Sequence, residues 1–425
     1  MDVQQIRELK PMLRRYLKQF DDCFARKDTR AHLSKYVEGQ LSNLERKSVE
    51  PIALKVGVPV RTLQEFLSQH RWNNELLRDR LQELVVRDHA GANSIGIIDE
   101  TSFAKKGEKT PGVQRQHCGA VGKQENCIVT VHLSYAVDDF HCLLDGDLFL
   151  PESWSEDRAR CREAGIPDEV VYRPKSEIAL ELYDRATAKG VQFEWMTFDE
   201  WYGVKPQFLR ALDGRQQKFV GEVHKHYAAW ADLPRTTHRP HRRSGRGRSK
   251  KVPRLVARSR PPLHVEDLLQ YHPALRDQVW QKWRVKDGDK GPMIWEVKHT
   301  LIYPKDENGL PDKPHHLIVA RNVLHPEEIK YFVSNAPPET SVSKLLLVAF
   351  SRWRIERCFE DHKGEVGLDH YEGRRWLGLQ RHLAITAVSY LFLAQTHANL
   401  RGEKSRTHLV PGAYGDCGGG AVLVA

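Results

Sequence analysis

The sequence predicts an α/β protein in which a mixed β-sheet is flanked by helices, and three observations support this prediction. Apolar residues follow a helical period through residues 1–90. Residues 91–223 begin with strands of antiparallel type and continue with alternating helices and strands. Residues 224–335 are rich in short strands separated by turn residues. We therefore expect a helical N-terminal domain, a sheet domain interrupted by a β-rich insertion and resumed at residues 336–398, and a mobile glycine-rich tail at 399–425.

Composition narrows the class of protein. The chain of 425 residues has a formal net charge of +10, which mildly favours a polyanionic partner. Its seven cysteines form no Cys-x-x-Cys pair, which argues against a zinc ribbon or a redox motif. The N-terminal residues are charged throughout, unlike a secretory signal, and no apolar run approaches the ~20 residues of a membrane-spanning helix. We expect a protein of the reducing cytoplasm that has no membrane partner.

A helix-turn-helix pattern lies within the N-terminal region, at residues 48–70. Ser48 suits an N-cap, Pro51 suits the first turn of a helix, and Gly57 suits a tight turn before a second short helix. The start of that second helix would contact DNA, through the candidate residues Arg61, Thr62 and Gln64. Any helical hairpin with a glycine turn has a similar pattern, so a purely structural hairpin is the alternative.

Two predicted strands end in aspartates. The run SIGIID, residues 94–99, is typical of a buried strand and ends at Asp99, and FEWMTFD, residues 193–199, ends at Asp199. Ligands of open α/β sheets gather outside strand ends. Two carboxylates at that position would form an oxygen-rich site for a hard cation such as Mg2+. Each aspartate taken alone is more simply explained as a turn or helix-capping residue.

The segments between these strands and after them complete the predicted order. Two antiparallel-type strands, with a turn at Asp138 and Asp139, follow the first aspartate, and a helix at residues 174–190 ends at a glycine. Residues 235–262 are dense in arginine and almost free of acidic residues, which predicts either a linker or a DNA-contacting loop.

One long helix is predicted at residues 345–366, with a face that changes from apolar to charged. The charged part of this face consists of Arg352, Glu356 and Lys363. Such a mixture on a partly buried face is costly unless a metal ion or a phosphate binds to it. A solvated face with i,i+4 ion pairs is the alternative. Together with the two aspartates, this helix would complete a three-carboxylate site for phosphoryl transfer on nucleic acid with two metal ions.

Three stretches resemble bacterial insertion-sequence transposases of the DDE class. They are GIIDETSFAKKGEKTPGVQRQHCGAVGKQENCIVTVHLSY at residues 96–135, MTFDEWYG at 196–203 and RWRIERCFEDHK at 352–363. The third resembles the family's Tyr-Arg-Glu-Lys signature, in which arginine precedes the catalytic glutamate by four positions and lysine follows it by seven. Ala349 stands at the tyrosine position of this signature.

The resemblance implies an RNase H-like catalytic domain with a metal-binding triad of Asp99, Asp199 and Glu356, and Glu360 is the rival third acid. It implies two Mg2+ ions as cofactors, for which Mn2+ can substitute. The DNA contacts that we infer in this domain are Arg352, Lys363, Trp353, Lys105 and Lys106. Core packing is the alternative role for the tryptophan, and an unspecific surface position is the alternative for the last two lysines.

The implied activity is cut-and-paste transposition of an insertion sequence. Metal-dependent cleavage at the end of the element would free a 3′ hydroxyl, which would then attack target DNA. The expected partners are double-stranded DNA, as terminal inverted repeats and as target, and a second copy of the chain bound to DNA. The expected location is the bacterial cytoplasm, in association with the nucleoid. Two alternatives remain open: a decayed or domesticated DNA-binding protein without catalysis, and a metal-dependent nuclease of the same fold.

Overall fold

The computed structural model describes residues 3–238, 253–288 and 291–401. Within this range the chain forms two compact units. The first combines the chain up to Glu194 with the segment from Arg352 onward, and the second consists of Trp195–Ser351. Most of the arginine-dense segment and most of the glycine-rich tail lie outside the described residues. The domain boundaries inferred from sequence, at residues 90, 223, 335 and 398, stay predictions.

The first unit begins with helices, as the sequence predicts. They are α1 (Val3–Lys18), α2 (Lys27–Gln40), α3 (Val49–Lys55), α4 (Val60–Ser68) and α5 (Asn74–His89), with a 3-10 helix at Asp21–Cys23. α3 and α4 form the predicted helical hairpin, with Ser48 at the N-cap of α3. Gly57 between them has a φ of +69°, a left-handed conformation that glycine adopts without a steric penalty. α4 buries Leu63, Phe66 and Leu67 against the unit.

Four antiparallel strands follow: β1 (Ile95–Ala104), β2 (Gln114–Cys118), β3 (Lys123–Val137) and β4 (Phe140–Leu148). β3 is central, because it pairs with β1, β2 and β4. The predicted turn at Asp138 and Asp139 joins β3 to β4. The prediction that the first strand ends at Asp99 is wrong, because β3 is long enough to pair with β1 as far as Ala104. Asp99 therefore lies in the middle of a strand.

Three helices complete this part of the first unit: α6 (Glu152–Ser155), α7 (Arg158–Ala164) and α8 (Lys175–Ala188). α8 is the helix predicted at residues 174–190, and it packs against β3 and β4. Gly190, just beyond its end, has a φ of +86°, so the predicted glycine stop is confirmed.

The second unit contains a mixed sheet. Its elements are β5 (Trp195–Phe198), α9 (Glu200–Gly203), α10 (Pro206–Gly214), β6 (Phe219–Val223), β7 (Ala228–Trp230), β8 (Thr236–Thr237), β9 (Arg254–Leu255), β10 (Leu263–His264), α11 (Val265–Tyr271), α12 (Pro273–Arg276), β11 (Gln281–Gly288), β12 (Gly291–Pro304), β13 (His315–Asn322) and β14 (Ile329–Ser334). The strand order is β10-β7-β12-β13-β14-β6-β5, and β11 pairs with β12. β5 and β6 are parallel, whereas β12, β13 and β14 pair antiparallel. The predicted β-rich segment is therefore confirmed.

The prediction of one long helix at residues 345–366 is wrong, because two helices occupy this stretch. They are α13 (Val342–Phe350), capped by Ser341, and α14 (Trp353–Val366). At the break, the Ser351 amide donates to the Val348 carbonyl at 3.1 Å and the Ser351 hydroxyl donates to the same oxygen at 2.7 Å. Bonding three residues back tightens the chain and ends the α-helical pattern. α13 belongs to the second unit and α14 to the first.

The last described helix, α15 (Trp376–Arg401), ties the N-terminal helices to the rest of the first unit. The Arg381 guanidinium donates to three carbonyls at the end of α4 and just beyond it, those of Phe66, Leu67 and Trp72, at 3.0–3.1 Å. Burial lowers the pKa of Arg381 to about 10, so the group is still charged at neutral pH. These bonds satisfy carbonyls that the last helical turn leaves unpaired. No helix among the described residues is long and apolar enough to cross a bilayer.

Candidate active site

Asp99 lies on the part of β1 that faces α14. In the register with β3 it is opposite His132, whose ring contacts Phe359 of α14 at a centroid distance of 5.3 Å. Burial lowers the pKa of His132 to about 3, and the charge of Lys363 acts in the same direction, so this imidazole is neutral. The Asp99 side chain is only 13% exposed, and its Oδ1 accepts the Glu100 amide at 2.7 Å. One predicted acid is therefore fixed on a strand beside the late helix.

Arg352 joins this aspartate to Glu356. Its Nη1 donates to Asp99 Oδ2 at 3.1 Å, and its Nη2 donates to Glu356 Oε1 at 2.7 Å. Arg352 is the N-cap residue of α14, and its side chain is 21% exposed. Glu356 follows in the first helical turn, where the helix dipole favours a negative charge. Two of the three predicted acids thus bind one guanidinium.

Glu360, the rival third acid, has different surroundings. Its side chain is 71% exposed, and its ion pair is with Arg357, at 3.6 Å. Arg357 also binds Asp361, at 3.0 Å. The contacts of α14 favour Glu356 over Glu360 as the partner of Asp99.

Asp199 belongs to the second unit, whereas the other two predicted acids belong to the first. It directly follows β5, as predicted, and caps α9 by accepting the Tyr202 amide at 3.3 Å. Gly203 ends this short helix at a place where an added Cβ would lie 1.8 Å from the Glu222 carbonyl oxygen of β6. The glycine of the MTFDEWYG stretch therefore lets α9 pack directly on the neighbouring strand.

The predicted DNA-contacting lysines differ in their exposure. Lys105 is half-buried, and its Nζ donates to the carbonyls of Asp369 and Tyr371 at 3.2 and 2.6 Å. Burial lowers the pKa of Lys105 to about 8. Lys106 is exposed, and Lys363 lies with its Nζ 6.0 Å from the Phe103 ring. Lys105 therefore connects the chain after β1 to the chain after α14, while Lys106 faces solvent.

An ion pair next to Asp99 was not predicted from the sequence. Lys175, at the start of α8, donates to Glu100 Oε1 at 2.6 Å, and the Glu100 Oε2 atom is buried. Adjacent strand residues point to opposite faces, so Glu100 and Asp99 cannot share one side of β1. The alternation of side chains along a strand could have predicted that Glu100 lies on the face opposite to Asp99. Nothing in the sequence indicated which helix would supply its cation.

The carboxylates suit a hard divalent cation by their chemistry. Asp99 and Glu356 offer only oxygen ligands, which Mg2+ and Mn2+ prefer, and both already bind a cationic group. Within the described ranges, no group of three or more His, Cys, Asp or Glu side chains is arranged so that it could hold a metal ion. The two carboxylates fit a divalent ion as part of a site.

Comparison with known proteins identifies the family. Residues 19–292 match the family model described as DDE superfamily endonuclease, so the chain belongs to this family. This match confirms the resemblance and the RNase H-like mixed α/β fold class inferred from sequence. Asp99 and Asp199 lie within the matched residues, and Glu356 lies beyond them.

Among individual proteins, the chain is similar to the "Probable transposase for insertion sequence element IS701" of Microchaete diplosiphon. The two are 32% identical over 191 residues, which are 44% of this chain and 47% of the relative. The chain thus matches about half the length of this curated relative. It is also similar to the crystal structure of the NurA nuclease from Sulfolobus solfataricus, at 9% identity and a TM-score of 0.23, over 64% of this chain and 79% of that one. A similarity this low does not bear on the site.

Proposed function

We propose that the protein is a DNA transposase that moves an insertion sequence by cut-and-paste. The observation that carries this proposal is the pair of hydrogen bonds by which Arg352 joins the carboxylates of Asp99 and Glu356. Asp99 is distant in sequence from the other two residues, and the resemblance assigns Asp99 and Glu356 to the metal-binding triad and Arg352 to a phosphate contact. Membership of the DDE superfamily endonucleases and similarity to a probable insertion-sequence transposase support the same class of reaction.

The proposed metal-binding triad is Asp99, Asp199 and Glu356, and the proposed cofactor is a pair of Mg2+ ions, for which Mn2+ can substitute. When bound, such ions activate the attacking oxygen and stabilise the leaving oxygen in an in-line displacement. The chain's own role is to hold the carboxylates in place. A strand fixes Asp99, whose Oδ1 accepts a backbone amide, and the first turn of α14 fixes Glu356.

Cationic and aromatic side chains of α14 would hold the DNA. Arg352 and Lys363 bind phosphates of the transposon end in this proposal. Burial lowers the pKa of Lys363, and an anionic phosphate would favour its charged form again. Trp353 is exposed, and its face can stack on an unpaired base. Lys106 is the better candidate for a further phosphate contact, because the Lys105 ammonium already binds two carbonyls.

The helical hairpin of α3 and α4 would bind double-stranded DNA. Arg61 is 85% exposed at the start of α4, where it pairs with Glu65, and Gln64 is also exposed. Thr62 is half-buried beside them. We propose that these residues contact the terminal repeats, that the protein works as a homodimer on end and target DNA, and that it associates with the bacterial nucleoid.

Incubation of the full chain with DNA that carries the element's ends, in Mg2+ or Mn2+, tests the proposed activity. Products that join the ends to target DNA support a transposase. Nicks without joining replace it by a metal-dependent nuclease of the same fold, and binding without cleavage replaces it by a decayed or domesticated DNA-binding protein.

Glu356→Gln tests the assignment of the third acid. We expect this variant to lose end cleavage and to keep nearly normal DNA affinity, because it removes a carboxylate charge and keeps the side-chain volume. The Glu356 side chain is 55% exposed, so loss of its ion pair with Arg352 should lower the free energy of unfolding by no more than about 1 kcal/mol. Glu360→Gln is the matched control and should cleave normally. Normal cleavage by Glu356→Gln together with an inactive Glu360→Gln would transfer the role to Glu360.

A further inference from the structure

We propose that Arg352 is a positioning residue that withholds Asp99 and Glu356 from divalent cations until a DNA phosphate draws the guanidinium away. Metal uptake at these carboxylates would then depend on bound DNA. The inference rests on the proposed function, because it concerns the same carboxylates and the same DNA.

The geometry of the bridge supplies the first step. A guanidinium is a rigid planar fork, and here each of two nitrogens binds a different carboxylate, at 3.1 and 2.7 Å. Asp99 Oδ1 meanwhile accepts the Glu100 amide at 2.7 Å. Both Asp99 oxygens and Glu356 Oε1 are therefore engaged by hydrogen-bond donors, and a dication at the same place would be repelled by the positive charge of Arg352.

The second step is that only Arg352 has to move. Asp99 is held on β1 by its amide contact and by the pairing of β1 with β3. Glu356 is held by the first turn of α14. Arg352 lies at the turn before that helix, so its side chain can rotate without disrupting the helical hydrogen bonds that follow.

The third step is that a DNA phosphate can draw the Arg352 guanidinium away from the carboxylates. Guanidinium groups bind phosphate oxygens through paired, charge-assisted hydrogen bonds. The Arg352 side chain is 21% exposed and that of Glu356 is 55% exposed, so solvent reaches this side of the bridge. A DNA phosphate arriving there can exchange with the carboxylates as the partner of Arg352. The carboxylates then lose the positive charge of Arg352, which raises their affinity for a divalent ion.

A purely structural bridge that fastens α14 to β1 has the opposite consequence. Removing Arg352 would then loosen Glu356 relative to Asp99, and metal affinity would fall or stay the same. The sign of the change in metal affinity therefore separates the two roles, and no cleavage needs to be measured.

The experiment is a calorimetric titration of Mn2+ into the full chain without DNA, for the wild type, Arg352→Gln and the control Arg357→Gln. We expect Arg352→Gln to bind Mn2+ about tenfold more tightly than the wild type, the effect of freeing one charge-assisted contact. Arg357→Gln removes a cation of α14 that binds Glu360 and Asp361 instead of the two carboxylates, so its affinity for Mn2+ should stay close to that of the wild type. Adding Asp99→Asn to Arg352→Gln should abolish the gain, which shows that it arises at this site.

A second titration tests the same role of Arg352 in the wild-type protein and does not depend on the folding of Arg352→Gln. A short DNA duplex of arbitrary sequence should raise the Mn2+ affinity of the wild type about tenfold, with the Asp99→Asn protein plus duplex as the blank. Equal affinity with and without duplex, or an Arg352→Gln protein that binds Mn2+ no better than the wild type, would overturn the role of Arg352. If this coupling is observed but DNA with the element's ends is neither cleaved nor joined, the proposed function fails and the coupling stands.

Discussion

Replacing Lys105 by methionine should change how the stability of the first unit depends on pH. In the wild type, the half-buried ammonium donates to the carbonyls of Asp369 and Tyr371. Burial lowers its pKa from 10.5 to about 8. Methionine fills a similar volume but carries no charge and no donor, so the substitution removes the ionisation and both hydrogen bonds together.

The magnitude follows from the two pKa values. Below about pH 8, Lys105 is protonated in both the folded and the unfolded chain, and the folded state bears the full cost of burying the charge. Between about 8 and 10.5 the folded chain loses this proton first, so the wild type gains stability as the pH rises. The pKa values differ by about 2.5, and one pH unit corresponds to about 1.4 kcal/mol, so the gain is about 3.5 kcal/mol.

The lost hydrogen bonds act in the opposite direction. Leaving one acceptor without its donor costs about 1–3 kcal/mol, and two carbonyls lose their donor here. The combined cost is similar to that of burying the charged amine. Near neutral pH the two effects nearly cancel, and the variant should be about as stable as the wild type. Near pH 10.5 the neutral amine of the wild type still donates to the carbonyls, so the wild type should be the more stable protein.

Urea unfolding followed by tryptophan fluorescence, at several pH values from neutral to about 10.5, measures this difference. Lys106→Met is the matched control. Lys106 is the exposed neighbour of Lys105, so the stability of this variant should depend on pH in parallel with that of the wild type. If the curves of Lys105→Met and the wild type stay parallel across the whole range, Lys105 is not buried with a lowered pKa and the reasoning is wrong.

Two further outcomes test other contacts. Gly203→Ala should lower the free energy of unfolding by about 1–3 kcal/mol, because the added methyl would overlap the Glu222 carbonyl. The control in urea unfolding is Gly214→Ala, since nothing lies within 4 Å of a Cβ added there. Equal losses of stability in the two variants would contradict the packing argument. Arg61→Ala should weaken binding to DNA that carries the element's ends by about 1–3 kcal/mol, as measured by fluorescence anisotropy. Replacing the exposed Arg14 of α1 by alanine should leave the affinity unchanged. Equal effects of the two substitutions would remove α4 from the DNA interface.

Local signals predicted the parts of the site that depend on nearby residues. The i,i+4 spacing of Arg352 and Glu356 anticipated their ion pair, which the structure contains at 2.7 Å. Proline and glycine around α3 likewise marked the hairpin, since each restricts or frees the backbone in a defined way. These interactions arise within one or two turns of chain, and spacing alone determines them.

Contacts between distant segments could not be read in the same way. The bond from Arg352 to Asp99 and the bonds from Lys105 to the chain after α14 each depend on how β1 and α14 pack. The break at Ser351 was also missed, because serine ends a helix only when its hydroxyl turns back to a carbonyl. The extension of β1 beyond Asp99 followed from the length of its partner strand, which is a tertiary constraint on residues 100–104.

The bonds from Arg381 to the end of α4 have a consequence for the time course of synthesis. A ribosome makes the helical hairpin first, and the side chain that binds the carbonyls of Phe66, Leu67 and Trp72 lies 309 to 315 residues further along the chain. α4 can therefore reach its final form only after α15 has left the ribosome. A fragment that contains the N-terminal helices alone would expose the surface that α15 covers and would lose these bonds. The hairpin and the late helix are in this sense one folding unit, assembled from the two ends of the described chain.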